Sequence, residues 1–78
     1  MKKYVLTVVD IGMSSNFVPH VLGIYNTKDK AQSEFKNDIN GMINDANGMK
    51  VKYDYDKRYL TVNDGEYGAV WNIEEVEI

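Results

Sequence analysis

The sequence of 78 residues predicts an α+β fold: one antiparallel sheet of about five strands, with a single helix across one face, in the order ββαβββ. Three observations carry this. Apolar residues recur at three- and four-residue steps in one long stretch only, between Thr27 and Gly48. On either side of that stretch they alternate at two-residue steps or run together in short apolar blocks. Turn-forming residues separate those blocks.

Lys3 to Ile11 reads as the first strand. Tyr4, Leu6 and Val8 point to one side and Val5, Thr7 and Val9 to the other; with both sides largely apolar, the strand belongs inside the sheet. Gly12 to Asn16 is a Gly/Ser/Asn connection, in which Met13, Ser14 and Ser15 could touch a ligand, although a hairpin loop is the simpler reading. A second strand runs from about Val18 to Tyr25. Pro19 has no amide proton for a central ladder, so this strand begins there or lies at the edge. His20 stands beside it, near Ser14, Ser15 and Asp10, but no nucleophile–base spacing joins them and a catalytic role is set aside.

The helix has a start signal in Thr27, suited to cap it, and in Asp29 in the first turn. Gly48 is suited to the left-handed turn just past its end. Ala31, Phe35, Ile39, Met42, Ile43 and Ala46 share its buried face. Gly41 weakens it by roughly 1 kcal/mol relative to Ala if exposed. The outer face mixes both signs, including an i,i+4 pair of Lys30 and Glu34, as solvated helix faces do.

After Gly48 the period becomes two. A turn at Asp56-Lys57 sets Tyr53 opposite Leu60 and Val51 opposite Val62. Another at Asp64-Gly65 sets Val62 opposite Tyr67 and Leu60 opposite Ala69. Both registers put Tyr53, Val51, Leu60, Val62, Tyr67, Ala69, Trp71 and Ile73 on one face. Continued alternation would turn Glu75 and Glu77 inward and Val76 and Ile78 outward; a bulge near Glu74-Glu75 would bury Val76 and Ile78 instead, and without it the outward side gains an apolar strip. A spatial order 2-1-5-4-3 keeps every neighbour antiparallel.

Residues 1–78 read as a single domain. A chain this short buries only ~60% of the surface its unfolded form exposes. Small scaffolds compensate with disulfides, metals or partner chains. Cysteine is absent and there is one histidine, which leaves good packing, self-association, or both. The Met1-Lys2-Lys3 start resembles a secretion signal, but the apolar run behind it is short and ends at Asp10; it reads as a strand of an intracellular protein, with no membrane span.

The net charge of −3 is unevenly spread. Residues 1–53 carry seven Lys/Arg against five Asp/Glu; residues 54–78 carry two against seven. An acidic last third argues against direct nucleic-acid binding, which needs clustered Lys/Arg. Lys50, Lys52, Lys57, Arg58 and Tyr59 are the nearest approach to a basic, aromatic patch, and neighbouring aspartates weaken it. The acidic third suits docking onto a basic protein surface, or simply a solvated edge.

No metal, cofactor or catalytic set emerges. Asp54-x-Asp56 and Asn63-Asp64-Gly65-Glu66 offer oxygen ligands, but neither has calcium-loop spacing and turn chemistry explains both. Glycines are not arranged as a phosphate loop, and Glu74, Glu75 and Glu77 lie on what reads as a terminal edge strand rather than in a cleft. What remains is surface. One helix covers one side, so the other holds Tyr59, Thr61, Val70, Asn72, Lys52 and Asp54, with Val5 and Val9, a set more apolar and aromatic than a free surface needs. The candidate binding residues are therefore Asp54, Asp56, Tyr59, Asp64, Glu66, Val70, Glu74, Glu75 and Glu77.

The segment Val21-Leu22-Gly23-Ile24-Tyr25-Asn26-Thr27-Lys28-Asp29-Lys30-Ala31 resembles a pattern in many small phage and prophage proteins of unassigned activity. There, a strand reading glycine, apolar, aromatic runs into a Ser/Thr-capped helix with Ala at its fourth position. The Asn-, Lys-, Asp-, Ile- and Tyr-heavy composition is similar to that of low-GC bacteria and their phages. This resemblance implies a context in which small acidic proteins are often inhibitors of host defence, including anti-CRISPR proteins, and it carries over no functional residues. The expectation is a non-enzymatic protein-binding protein of the bacterial host cytoplasm: a phage or mobile-element inhibitor of a defence or nucleic-acid-processing enzyme with a basic surface. The alternatives are a homodimeric module, joined by the open sheet face or an edge strand, and a small-ligand or nucleotide binder with its site at a dimer seam.

Overall fold

A computed structural model describes residues 1–12 and 17–78; Met13, Ser14 and Ser15, named above for ligand contact, lie outside the described residues. The elements are β1 (Lys2–Gly12), β2 (Pro19–Tyr25), α1 (Lys28–Asp45), β3 (Val51–Asp54), β4 (Tyr59–Val62) and β5 (Tyr67–Glu77). The five strands form one antiparallel sheet in the order β2-β1-β5-β4-β3. This is the α+β architecture and the strand order expected from the sequence.

The local chemistry of the helix is as read. The Thr27 hydroxyl accepts from the Lys30 amide at 3.1 Å, Asp29 sits in the first turn, and Gly48 takes φ +85° just past the end. Ala31, Phe35, Ile39 and Ala46 are buried, and Met42 and Ile43 pack against the core. Lys30 and Glu34 pair at 2.9 Å, which raises the lysine pKa.

The sheet contributes Leu6 and Val8 from β1, Leu60 and Val62 from β4, and Ala69 and Trp71 from β5. Phe35 meets Trp71 and Tyr55 edge-on, at ring-centroid distances of 5.4 and 6.5 Å. Among the described residues, side-chain bonds tie the helix to β5 and to the β3–β4 turn. Trp71 Nε1 donates to Asp38 at 2.7 Å, Tyr55 to Asn40 at 2.7 Å, and the Arg58 guanidinium to Gln32 at 3.0 Å. Arg58 also lies over the Phe35 ring.

Both hairpin registers match the expected pairs: Tyr53 opposite Leu60, Val51 opposite Val62, Val62 opposite Tyr67, Leu60 opposite Ala69. At the second turn Asn63, Asp64 and Gly65 all have positive φ, and the chain reverses over the four residues between Val62 and Tyr67 with Asp64-Gly65 at their centre. Gly68 is required for a different reason: a Cβ there would overlap the Leu60 carbonyl oxygen.

Of the two alternatives at Glu74-Glu75, the structure takes the one without a bulge: β1 and β5 pair without a shift from Lys2↔Glu77 to Gly12↔Tyr67, and Val76 stays outward and exposed. Eleven-residue strands span ~37 Å and an eighteen-residue helix ~27 Å, so the β1–β5 end overhangs it. Glu75 and Glu77 therefore remain exposed on the helix side and need no phase change. The irregularity lies instead in β2, where pairing passes from Leu6↔Gly23 to Thr7↔Val21 and leaves Leu22 as the extra residue. The overhang also makes the molecule long: 42 × 23 × 17 Å, with a radius of gyration of 13.1 Å. A compact globule of this length would have about 11.5 Å.

Candidate functional site: the uncovered sheet face and its outer strand

Side chains that alternate with the buried ones face away from α1. Register places them in rows across the sheet: Ile24, Val5 and Glu74; Val21, Thr7 and Asn72; Pro19, Val9, Val70, Tyr59 and Asp54. Ile11, Gly68, Thr61 and Lys52 follow. All eight residues expected on this side are there. Tyr59 and Val70 are directly opposed on it, with Val70 39% exposed and Tyr59 half-buried.

The face is not uniform. Its β2–β1 side is apolar: Val21 and Ile24 are 64% and 61% exposed, and Val5, Val9 and Ile11 are half-buried beside them. Its β3 side carries Lys52 and Asp54. Asn72 and Glu74 form a polar step along β5, beyond the end of β4 and beside Thr7 and Val5.

The acidic candidates are not brought together. Asp54 Oδ1 accepts from the amides of Asp56 and Lys57 at 2.8 and 3.0 Å, so it closes the β3–β4 turn, and Asp56 lies exposed in that turn. Asp64 pairs with Lys50 at 3.0 Å and Glu66 accepts from Asn63 at 3.1 Å, both at the other end of β4. Glu75 and Glu77 face the helix side, where Glu75 accepts from the Tyr4 hydroxyl at 3.1 Å and lies 3.8 Å from Lys2, while Glu77 meets the N-terminal amine at 3.1 Å. Hydrogen bonding to Glu75 raises the Tyr4 pKa, because the neutral phenol is the donor. Of the nine candidates, Asp54, Tyr59, Val70 and Glu74 share the uncovered face.

Sequence reading missed the contribution of β2. Its side chains at Val21, Leu22 and Ile24 are all at least 42% exposed, and Val18 just before it is 54% exposed. A signal was present: residues 11–27 contain no Lys, Arg, Asp or Glu in a chain that is 27% charged. Among the described residues no group of three or more His, Asp or Glu stands together as metal ligands would, and no helix is long and apolar enough to cross a membrane. A depression beside the β4–β5 turn is lined by Lys50, Val51, Lys52, Thr61, Asp64 and Gly65, but its Lys50 is already paired with Asp64.

Compared with known proteins, the chain matches no family model, no curated protein and no solved structure.

Proposed function

We propose that this chain is a non-enzymatic protein-binding protein that engages its target through the uncovered face of the sheet. The observation that carries this reading is the row Val9, Val70, Tyr59: apolar and aromatic side chains directly opposed across three strands, on a face with no helix over it. A tyrosine set among valines gives rigid contact area with a polar tip, the composition of interface centres rather than of plain solvated surface. Asp54 at the end of that row, and Glu74 two rows further along β5 on the same face, supply negative charge where a basic target would meet it. In its specific form the proposal is an inhibitor, carried by a phage or mobile element, of a bacterial defence or nucleic-acid-processing enzyme, acting in the host cytoplasm. The acidic last third and the phage-like strand-to-helix segment support that form. The acidic contribution rests on Glu74 and Asp54 rather than on Glu75 and Glu77, which face the other way and are paired.

The test is capture from a low-GC bacterial lysate by the immobilised chain and by two variants, Tyr59→Ala with Val70→Lys, and Glu74→Lys. The reading expects a target retained by the parent chain, lost with the first variant and weakened by the second. A target held equally by all three would place the binding site elsewhere and overturn it.

A further inference from the structure

We infer that β2 is the seam of a symmetric homodimer, in which the β2 strands of two copies pair antiparallel and join their sheets into one. This does not rest on the target-binding reading above and can hold or fail without it.

Every sheet edge presents a row of backbone donors and acceptors, and soluble proteins blunt such edges with short strands, lysines, prolines, bulges or cover. The β3 edge is blunted in this way: it is four residues long, with Lys52 within it and Lys50 just before it. The β2 edge has only Pro19 at its start and the Leu22 bulge. It runs for seven residues without a charged side chain and exposes Val21, Leu22 and Ile24. Solvent gains nothing from that composition, whereas a paired strand buries it.

The occupant that best fits is a second copy. In an antiparallel two-fold contact each strand faces its own sequence, so any charge near the axis meets its like; like charges directly opposed are destabilising. A strand with no charge, within an uncharged run from 11 to 27, escapes this. A basic or acidic foreign strand would find no counter-charge there. The chain also has reason to associate. Its core is small, three of the ten buried apolar residues among those described are alanines, and the sequence has no cysteine to staple it.

The geometry sets the shape of the product. Antiparallel pairing of like edges requires a two-fold axis normal to the sheet. The result is a ten-stranded sheet with both helices on one side and both uncovered faces on the other, Val21 and Ile24 of the two copies adjoining across the seam. It is also closed. β2 is consumed in both copies, the outer edges left are the two blunted β3 strands, and the Leu22 bulge with Pro19 at the strand start confines the pairing to a short length. A dimer forms rather than a fibre.

The experiment is light scattering across a concentration series up to high micromolar, on the parent chain, on Val21→Lys and Ile24→Lys separately, and on Val70→Lys, with circular dichroism to verify folding. Both β2 positions are more than 60% exposed, so two independent variants keep the test open if one misfolds. The expected result is a parent species of twice the 8.9 kDa chain mass, a dimer weakened at least about tenfold by either β2 lysine, and no change with Val70→Lys. A parent chain that stays monomeric throughout overturns the inference. So does a dimer that survives both β2 lysines but is lost with Val70→Lys, which would mean face-to-face stacking of the sheets.

Discussion

The two outer strands of this sheet meet the same hazard in opposite ways. β3 is short, carries Lys52, and ends in a turn that Asp54 closes with its own carboxylate. β2 is nearly twice as long, uncharged, and exposes its apolar side chains. They also hang on the sheet differently. β3 is held through β4, which pairs with β5 for only four residues, whereas β2 is held by the long central strand β1. One edge is kept short and charged; the other is the edge that the proposed dimer would cover. The comparison teaches that charge placement along a strand can mark its fate more clearly than its hydrophobicity does, since both strands contain valine and tyrosine.

The largest expected effect tests how the β3 side is held. Gly68→Ala drives a Cβ into the Leu60 carbonyl oxygen and should cost at least about 3 kcal/mol in urea unfolding, because the obstacle is backbone and cannot swing aside. A loss under about 1 kcal/mol would mean that β4 and β5 slide apart easily and that the β3 edge is less fixed than described. Next comes the anchoring of the helix that leaves the other face bare. Asp38→Ala strands the indole N–H of Trp71, a residue only 3% exposed, and should cost about 1.5–3 kcal/mol by the same measurement. Removing the cap with Thr27→Ala should cost about 1 kcal/mol. Val21→Lys, by contrast, measured at a concentration low enough to keep the parent chain monomeric, should change stability by no more than about 0.5 kcal/mol, because its side chain already faces solvent. A large loss under those conditions would show that Val21 belongs to the folded core and not to a contact surface.

The smallest effect lies at the overhanging end. The neutral Tyr4 phenol donates to Glu75, so its folded pKa stands above that of the unfolded chain. Such a bond contributes stability at pH below the ordinary tyrosine range and loses it as pH rises through the folded value. An NMR titration should find Tyr4 ionising later than an unpaired tyrosine, and Glu75→Gln should bring it back down.

Much of the fold could be read from the sequence, because two tight turns and a period of two determine each other: once Asp64-Gly65 is a hairpin, Tyr67 must oppose Val62. The helix limits were equally legible from Thr27 and Gly48. The bulge in β2 was not. Val21-Leu22-Gly23-Ile24-Tyr25 is apolar throughout, so inserting Leu22 leaves no mark in the alternation. At the other end, the alternation alone leaves the phase of Glu74 to Ile78 open, because nothing in a one-dimensional pattern tells how far a helix reaches along a strand. On the functional side, Tyr59 and Val70 came out opposed on the bare face as alternation required. The acidic cluster did not survive folding, since the partners of Asp64, Glu75 and Glu77 are Lys50, Lys2 and the chain start, which only the tertiary structure brings near.

The central claim is that β2 is a strand meant to be paired on its outer side. Amide hydrogen exchange followed as a function of protein concentration tests it most directly. The account predicts that amides of Val21 to Tyr25 gain protection as concentration rises while those of Val51 to Asp54 do not change. Exchange in β2 that is independent of concentration, or protection that grows equally at both edges, would contradict it.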